Sequence, residues 1–466
     1  MPGNSSPGTC QSKLSTDVRR LVSLVAIRVV ISILLFMPSS PAQTGVITEA
    51  ELSRAARQDV AQTAALPEVH SAMGWFRSHA RELIDEQLQV TKVAAPPFGE
   101  KPRAEWLRDR FIELGLVEVR IDEIGNVVGL RPGLEAKPTH VFAITAHIDT
   151  VFPEGTALKV RKEGDRLYGP GISDNGAGVT GLLATAAALK AADVKTVIPI
   201  LFVGNVGEEG EGDVRGMRFL FGDSKWADAI ESTLVLDGAG TDSIVTQALG
   251  SKRFQITVSG PGGHSWSDFG IPNPIVALAR AVDEFSRVTV PSEPKTTFNI
   301  GTITGGTSVN SIPESATMKV DLRSASADEI NKLEKELRSA LDEAVMETSM
   351  PVRRRSRDGS PVLSYEMKMI GNRPAAELKP NSRLLAVMQA VDHQLGNNAR
   401  VQRASTDANI PLSMGKEAIA IGAGGTGGGA HTLHEWFDPA NRDIGLKRVL
   451  LTTLAMTGVA PSGKKK

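Results

Sequence analysis

The stretch AHIDTV, residues 146–151, follows a run of apolar residues that begins at Val141. Alternate residues of an extended segment point the same way, so His147 and Asp149 can face one site together. An imidazole is a good zinc ligand, and a carboxylate behind it can fix its tautomer and strengthen its basicity. A His-x-Asp pair is weak evidence by itself. Its weight depends on where the other candidate ligands lie.

The other candidates also follow apolar segments that read as strands. Glu208 and Glu209 follow PILFVGNVG, Asp237 follows TLVL, and His431 follows the segment EAIAI and the glycine-rich loop GAGGTGGGA. Asp174 precedes a predicted helix. In open α/β sheets, ligands bind beyond the carboxyl ends of the strands, so these side chains can converge on one crevice.

Each candidate also has an ordinary interpretation when it is taken alone. Asp174 could cap a helix, Glu208 and Glu209 could be a solvated loop pair, and Asp237 with the following glycine could form a turn. His431 could be a surface histidine. Their joint placement at strand ends makes these separate explanations improbable.

Strands alternate with helices from Pro67 to about residue 249, which predicts a layered α/β domain with a largely parallel sheet. We expect one helix from Pro67 to Val93, ended by a Pro-Pro pair, and a second from Arg103 to Leu114. Between residues 250 and 372 the order becomes βαββαβ, that of a ferredoxin-like domain. The α/β pattern resumes over residues 373–460. The sequence therefore predicts one domain (67–249 and 373–460) that carries an inserted one (250–372).

Length and composition agree with a globular enzyme of two or more domains. The chain has 466 residues, of which 41% are hydrophobic and 23% charged. The net charge of −1 gives no electrostatic reason to expect nucleic acid as a partner. The one cysteine, Cys10, lies in the leader, so the body of the chain can form no internal disulfide.

The N-terminus resembles a secretory leader. Arginines precede the short apolar run Val29 to Met37, and small residues follow at Ser40 to Ala42, which indicates a signal peptide over residues 1–42. We expect a secreted or periplasmic protein with no stable membrane association once the leader is cleaved. An uncleaved anchor or a wrongly assigned start codon remains an alternative.

Several motifs together resemble one enzyme family. They are AHIDTV, GPGISDNGAG, GEEGEG, LDGAG, GPGGHS, GGTSVNSIP, DLRS and AHTLHEW, spread over Pro67 to Val459. The chain resembles the M20 family of di-zinc peptidases and deacylases. The resemblance implies a zinc-exopeptidase-type sheet flanked by helices, with an inserted ferredoxin-like dimerisation (lid) domain.

The resemblance also implies roles for the candidate residues. Two zinc ions per subunit, or cobalt or manganese in their place, would be held by His147 and Asp237 on one side and by Glu209 and His431 on the other, with Asp174 bridging both. Glu208 would act as general base and Asp149 would orient His147. His264 would stabilise the oxyanion, typically from the partner subunit of a homodimer. Asn310 and Arg323 would hold the substrate, whereas His434 is not expected to be a ligand.

We therefore predict a metal-dependent exopeptidase that acts on short peptides. The His-Glu pair at 434–435 and the stretch STDANIP, residues 405–411, resemble the tripeptidase branch and favour an aminopeptidase. An N-acyl amino acid deacylase or a carboxypeptidase on the same scaffold is the alternative. A non-catalytic binding protein is disfavoured, because such a protein has no need to keep the base Glu208.

Overall fold

The computed structural model describes residues 48–134, 139–353 and 363–460. The predicted leader and Cys10 lie outside these residues, so the signal peptide stays a prediction. Within the described residues, no helix combines the length and the apolar character that crossing a membrane requires.

The described helices and strands alternate along most of the chain. The helices are α1 (Glu49–Ala64), α2 (Pro67–Ser78), α3 (Ala80–Lys92), α4 (Lys101–Glu113), α5 (Gly176–Ala191), α6 (Arg215–Gly222), α7 (Pro274–Ser286), α8 (Ala327–Arg353), α9 (Arg383–Leu395), α10 (Asn409–Ser413) and α11 (Arg442–Thr457). The strands are β1 (Val117–Ile121), β2 (Val127–Arg131), β3 (Val141–His147), β4 (Arg161–Glu163), β5 (Arg166–Tyr168), β6 (Ile200–Asn205), β7 (Ile230–Leu236), β8 (Ser243–Ala248), β9 (Gly250–Ser259), β10 (Gly263–His264), β11 (Thr296–Gly305), β12 (Ser311–Ile312), β13 (Ser315–Ser324), β14 (Ser364–Arg373), β15 (Ala376–Glu377), β16 (Arg400–Ala404), β17 (Glu417–Ile421), β18 (Thr426–Gly428) and β19 (Trp436–Asp438).

The larger sheet has nine strands in the order β1-β2-β6-β3-β7-β17-β8-β15, with β16 beside β8. Its central strands β6, β3, β7 and β17 run parallel to one another. Every residue of β3 is buried, and its alternate side chains enter two apolar cores: Phe142 and Ile144 one, Val141 and Ala143 the other. Burial on both faces explains why the segment is continuously apolar. The predicted α/β fold with a mostly parallel central sheet is confirmed.

A second, four-stranded sheet follows the order β11-β13-β9-β14, with every neighbouring pair antiparallel. We call it, together with α7 and α8, the four-stranded layer. Its element order is the predicted βαββαβ, and it has its own apolar core, to which Phe254, Ile256 and Val258 contribute alternate side chains from β9. The domain boundaries and a role in dimerisation remain predictions.

The single helix predicted from Pro67 to Val93 is wrong. The structure divides it into α2 and α3 at His79, whose backbone leaves the helical region with φ −113° and ψ 24°. The His79 ring stacks on Trp75, with centroids 4.2 Å apart, which holds the chain at the break. Strands β8 and β16 were also not predicted. Four of the five residues of β16 are exposed, so that strand has no apolar alternation to detect.

An ion pair in the interior joins helices α9 and α11. Arg448 donates from Nε to Asp392 Oδ1 at 2.6 Å and from Nη2 to Oδ2 at 3.0 Å, and both side chains are buried. A bidentate pair of this kind fixes the relative rotation of the two helices, because both partners must meet in one plane.

We expect Arg448→Met to destabilise the fold by about 3–5 kcal/mol, since it leaves the Asp392 carboxylate buried without its cation. The matched control is Arg338→Met, which removes a half-exposed pair with Glu334 and should cost about 0–1 kcal/mol. Urea denaturation followed by circular dichroism measures both. Equal midpoints for the two variants would contradict the assigned importance of the buried pair.

Candidate metal centre

His147 lies at the carboxyl end of β3 and is almost fully buried. Its Nδ1 lies 3.2 Å from the main-chain oxygen of Asp149 and 3.6 Å from that residue's Oδ1. A carbonyl oxygen only accepts, so this contact places the proton on Nδ1 and leaves the Nε2 lone pair free to bind a metal ion.

Asp174 joins the two predicted halves of the site. Its Oδ1 lies 3.1 Å from His147 Nε2, and its Oδ2 lies 3.2 Å from His431 Nε2. His431 Nε2 is also 3.1 Å from Glu209 Oε1, and His147 Nε2 is 3.9 Å from Asp237 Oδ1. The predicted sets, His147 with Asp237 and His431 with Glu209, thus lie on opposite sides of one carboxylate.

These residues fit a metal ion by spacing and by chemistry. Two ligand atoms on a tetrahedral zinc, each at 2.0–2.1 Å, are about 3.3 Å apart, close to the nitrogen–oxygen distances seen here. One ligand atom from each of His147, Asp174 and Glu209 lies within 4.8 Å of the others. Imidazole nitrogen and carboxylate oxygen also suit cobalt and manganese.

The crowded carboxylates perturb one another. Burial raises the pKa of Glu209 to about 7, and burial together with the charge of Asp174 raises the pKa of Asp237 to about 6. The hydrogen bond to Asp174 raises the pKa of His431 to about 9. The raised pKa values of the two carboxylates and of the imidazole all indicate that the site favours additional positive charge, which a divalent cation supplies.

Asp149 does more than the sequence indicated. Its carboxylate, fully buried, accepts hydrogen bonds from the main-chain N–H groups of Glu208 at 3.0 Å and Glu209 at 2.8 Å. It therefore fixes the loop that carries both glutamates, in addition to lying against His147.

Glu435 was missed by the sequence analysis. Its buried carboxylate accepts from the main-chain N–H groups of Gly171 at 2.8 Å and of Ser173 and Asp174 at 2.7 Å. Gly171 has φ +74°, a left-handed backbone that favours glycine. Glu435 thus fixes the backbone of the loop that carries Asp174. The available signal was its position in AHTLHEW, four residues after His431.

Glu208 is buried beside the candidate metal ligands, and its Oε1 accepts a hydrogen bond from Arg373 Nη1 at 2.7 Å. Burial raises the pKa of Glu208 above its usual range, against the opposing charge of Arg373. Neither Arg373 nor the buried Asp407, which accepts from Asn205 Nδ2 at 2.7 Å, was assigned a role from the sequence.

A cavity of about 400 Å³ opens onto the centre. Its lining includes the predicted residues Asp174, Glu208, Glu209, Asp237, His431 and Arg323. Arg323 donates from Nε to Asp321 at 2.6 Å. Candidate metal ligands from the larger sheet and an arginine from the four-stranded layer therefore face the same cavity.

His264 and Asn310 lie elsewhere. His264 is on β10, exposed, and β10 pairs with β12; Ser265 N donates to Asn310 O at 3.0 Å. The structure brings these two residues together, but neither is among the described residues that line the cavity. The predicted roles of His264, in stabilising the oxyanion from a partner subunit, and of Asn310, in holding the substrate, stay predictions.

We expect Glu435→Gln to weaken metal binding by about 10–100-fold, the usual effect of removing a group that orients a ligand. An amide has only one acceptor oxygen, so at least one of the three loop N–H groups loses its partner. Competition with a chromogenic chelator measures the affinity. His434→Gln is the control and should bind metal normally, because His434 is exposed. Equal loss in both variants would contradict this role for Glu435.

Curated relatives match part of the chain. Carboxypeptidase G2 from Pseudomonas sp. (strain RS-16) is 27% identical over 261 residues, which is 54% of this chain and 60% of the relative. A probable carboxypeptidase from Arthroderma gypseum is 30% identical over 217 residues, 42% of this chain and 45% of the relative. The chain thus covers less than two thirds of the length of these relatives.

Solved structures match over more of the chain. Aminopeptidase PepT from Bacillus cereus superposes with a TM-score of 0.62 at 18% identity, covering 80% of this chain and 97% of that one. The dipeptidase Dug1p from Saccharomyces cerevisiae gives a TM-score of 0.64 at 12% identity, covering 84% and 99%. At these identities the likeness establishes the fold.

The model of one family spans most of the predicted catalytic region. It matches residues 143–454, more than half of the chain, and this span includes the motifs AHIDTV and AHTLHEW. The resemblance to M20 enzymes is confirmed, and the chain belongs to peptidase family M20/M25/M40.

Proposed function

We propose that this protein is a metal-dependent exopeptidase that hydrolyses short peptides. The observation that carries the proposal is Asp174, whose two oxygens face His147 and His431 beside the buried carboxylate of Glu208. The family is one of metal-dependent peptidases. Two zinc ions would be held by the residues on the two sides of Asp174.

Metal ions bound here would supply an acidified water and polarisation of the scissile carbonyl. Glu208 takes a proton from the attacking water and returns it to the leaving nitrogen, the work of a general base and then a general acid. Its carboxylate lines the cavity, within reach of a bound substrate. Asp149 holds the main chain of Glu208 in place during both transfers.

The charges on the cavity wall suit a substrate with one free carboxylate. Arg253 and Arg323 both line the cavity and share a single acid, Asp321, at 3.3 and 2.6 Å. Among the described residues, these two guanidinium groups form their ion pairs with one carboxylate only, so their combined charge favours a further anion. Arg323 donates to Asp321 through Nε, so its terminal nitrogens can grip a substrate carboxylate.

The proposal also concerns the end of the peptide from which residues are removed. The sequence favours removal of N-terminal residues, as in the tripeptidase branch. The arginines near the metal centre favour a second candidate, a carboxypeptidase, which must bind the substrate's terminal carboxylate beside the scissile bond. An N-acyl amino acid deacylase makes the same demand on the site.

Further parts of the proposal concern assembly and location. A homodimer would bring His264 of one subunit, with Asn310 beside it, to the metal centre of the other, where the imidazole could stabilise the oxyanion.

We also propose export to the periplasm or the medium, directed by the predicted leader.

We expect Glu208→Gln to keep its metal content and to lose about 10²–10⁴-fold in kcat, the usual contribution of general acid–base catalysis. Elemental analysis and peptide turnover measure the two quantities. Glu211→Gln is the matched control, because Glu211 lies in the same loop, is exposed and pairs with Lys319. A fully active Glu208→Gln variant would exclude Glu208 as the base.

A mass-spectrometric digest tests the reaction itself. The purified protein is incubated with tripeptides, N-blocked peptides and N-acyl amino acids, with and without a chelator. Chelator-sensitive loss of N-terminal residues from tripeptides is the expected result. Loss of C-terminal residues from N-blocked peptides would instead support the carboxypeptidase, and release of acyl groups alone the deacylase. If the metal-loaded protein turned over none of these compounds, the result would contradict the proposal that the protein is an enzyme.

A further inference from the structure

Arg373 occupies the junction between the two sheets. It is the last residue of β14, where the chain leaves the four-stranded layer and returns to the larger sheet. Its side chain is buried, with 6% of its surface exposed. A buried arginine is costly unless acids and acceptors surround it, so its partners indicate what it is for.

Both terminal nitrogens of Arg373 contact the same glutamate. Nη1 donates to Glu208 Oε1 at 2.7 Å, and Nη2 donates to the main-chain oxygen of Glu208. Nη1 also donates to Ser405 Oγ at 3.1 Å. The guanidinium therefore holds Glu208 by its carboxylate and by its backbone at once, which restricts rotation of the side chain.

Arg373 also compensates charge. Asp407 is buried and interacts electrostatically with both Arg373 and Glu208. Without the guanidinium, the two carboxylates would lose the positive charge that Arg373 places beside them. A neutral residue at 373 would thus let Glu208 turn away from the position in which it is held.

We propose that Arg373 is a positioning residue for Glu208, and that the four-stranded layer sets the orientation of the catalytic base through this contact. The proposal rests on the function proposed above, in which Glu208 is that base. A direct grip on a substrate carboxylate is a different role. Both Nη atoms already donate to Glu208, and Nε is buried with no hydrogen-bond partner among the described residues. Arg373 would therefore have to release Glu208 to bind a substrate carboxylate.

The experiment compares Arg373→Gln, Arg373→Lys, Glu208→Gln and the Glu208→Gln/Arg373→Gln double variant. Arg373→Gln should lower kcat about 100-fold, the effect of a small misplacement of a catalytic group, and leave KM unchanged. Lysine keeps the charge but makes fewer fixed contacts, so Arg373→Lys should recover part of kcat. The double variant should be no slower than Glu208→Gln alone, because Arg373 acts through Glu208.

The control is Arg218→Gln. Arg218 lies on α6 and links the loop between β6 and α6 to β14. It donates to Asp213 in that loop at 3.1 Å and to the main-chain oxygen of Asn372 on β14. Neither of these contacts involves Glu208. It should keep a normal kcat. A rise in KM with kcat unchanged in Arg373→Gln would overturn the proposal and assign Arg373 to substrate binding. So would weaker peptide binding by the double variant than by Glu208→Gln in calorimetry.

Thermal unfolding separates failure of this proposal from failure of the proposed function. Each single Gln variant should lower the Tm by leaving a buried charge unpaired, and the double variant should lose less than the sum. Additive losses would overturn the contact whether or not the wild-type protein hydrolyses a peptide. If the wild type turns over nothing, the function is wrong, and a non-additive Tm cycle still establishes that Arg373 fixes Glu208.

Discussion

One carboxylate, that of Asp174, contacts the imidazoles of His147 and His431 through its two oxygens. Glu209 and Asp237 complete the group, and repulsion among these acids at close range is the constraint that the rest of the site must satisfy. Burial alone would raise the pKa of Asp174, but its hydrogen bonds to the two histidines hold it below the usual range. Metal ions bound between these residues would also reduce the repulsion among the acids, because they neutralise charges that the protein interior cannot solvate.

Hydrogen bonds from main-chain N–H groups to two buried acids hold the loops that carry the candidate ligands in place. Asp149 binds the backbone of Glu208 and Glu209, and Glu435 binds the backbone that leads into Asp174. Each of these carboxylates accepts from groups that would otherwise be buried without partners. The two acids therefore position the candidate metal ligands without being assigned as ligands themselves.

The convergence of the candidate ligands could be predicted because it depends on a topological rule. Parallel strands bring their carboxyl ends to one edge of a sheet, so His147, Glu209 and Asp237 converge whatever the details of packing. Glu435 and Arg373 depend instead on where loops and a second sheet come to lie. The contact of Glu435 with Asp174 spans 261 positions in sequence, and no local pattern records it. The break at His79 was missed because the apolar periodicity continues across it.

The same distinction explains why the residues indicate a reaction more clearly than a substrate. The candidate metal ligands come from the larger sheet and its loops, whereas Arg253 and Arg323, which line the same cavity, come from two adjacent strands of the four-stranded layer. In the proposed reaction, the distance from the scissile bond to the substrate carboxylate would therefore depend on how the two sheets pack against each other. Small changes at their junction can alter that distance without altering one ligand. In the proposed exopeptidase, a change at this junction alone would therefore move the activity from one end of a peptide to the other.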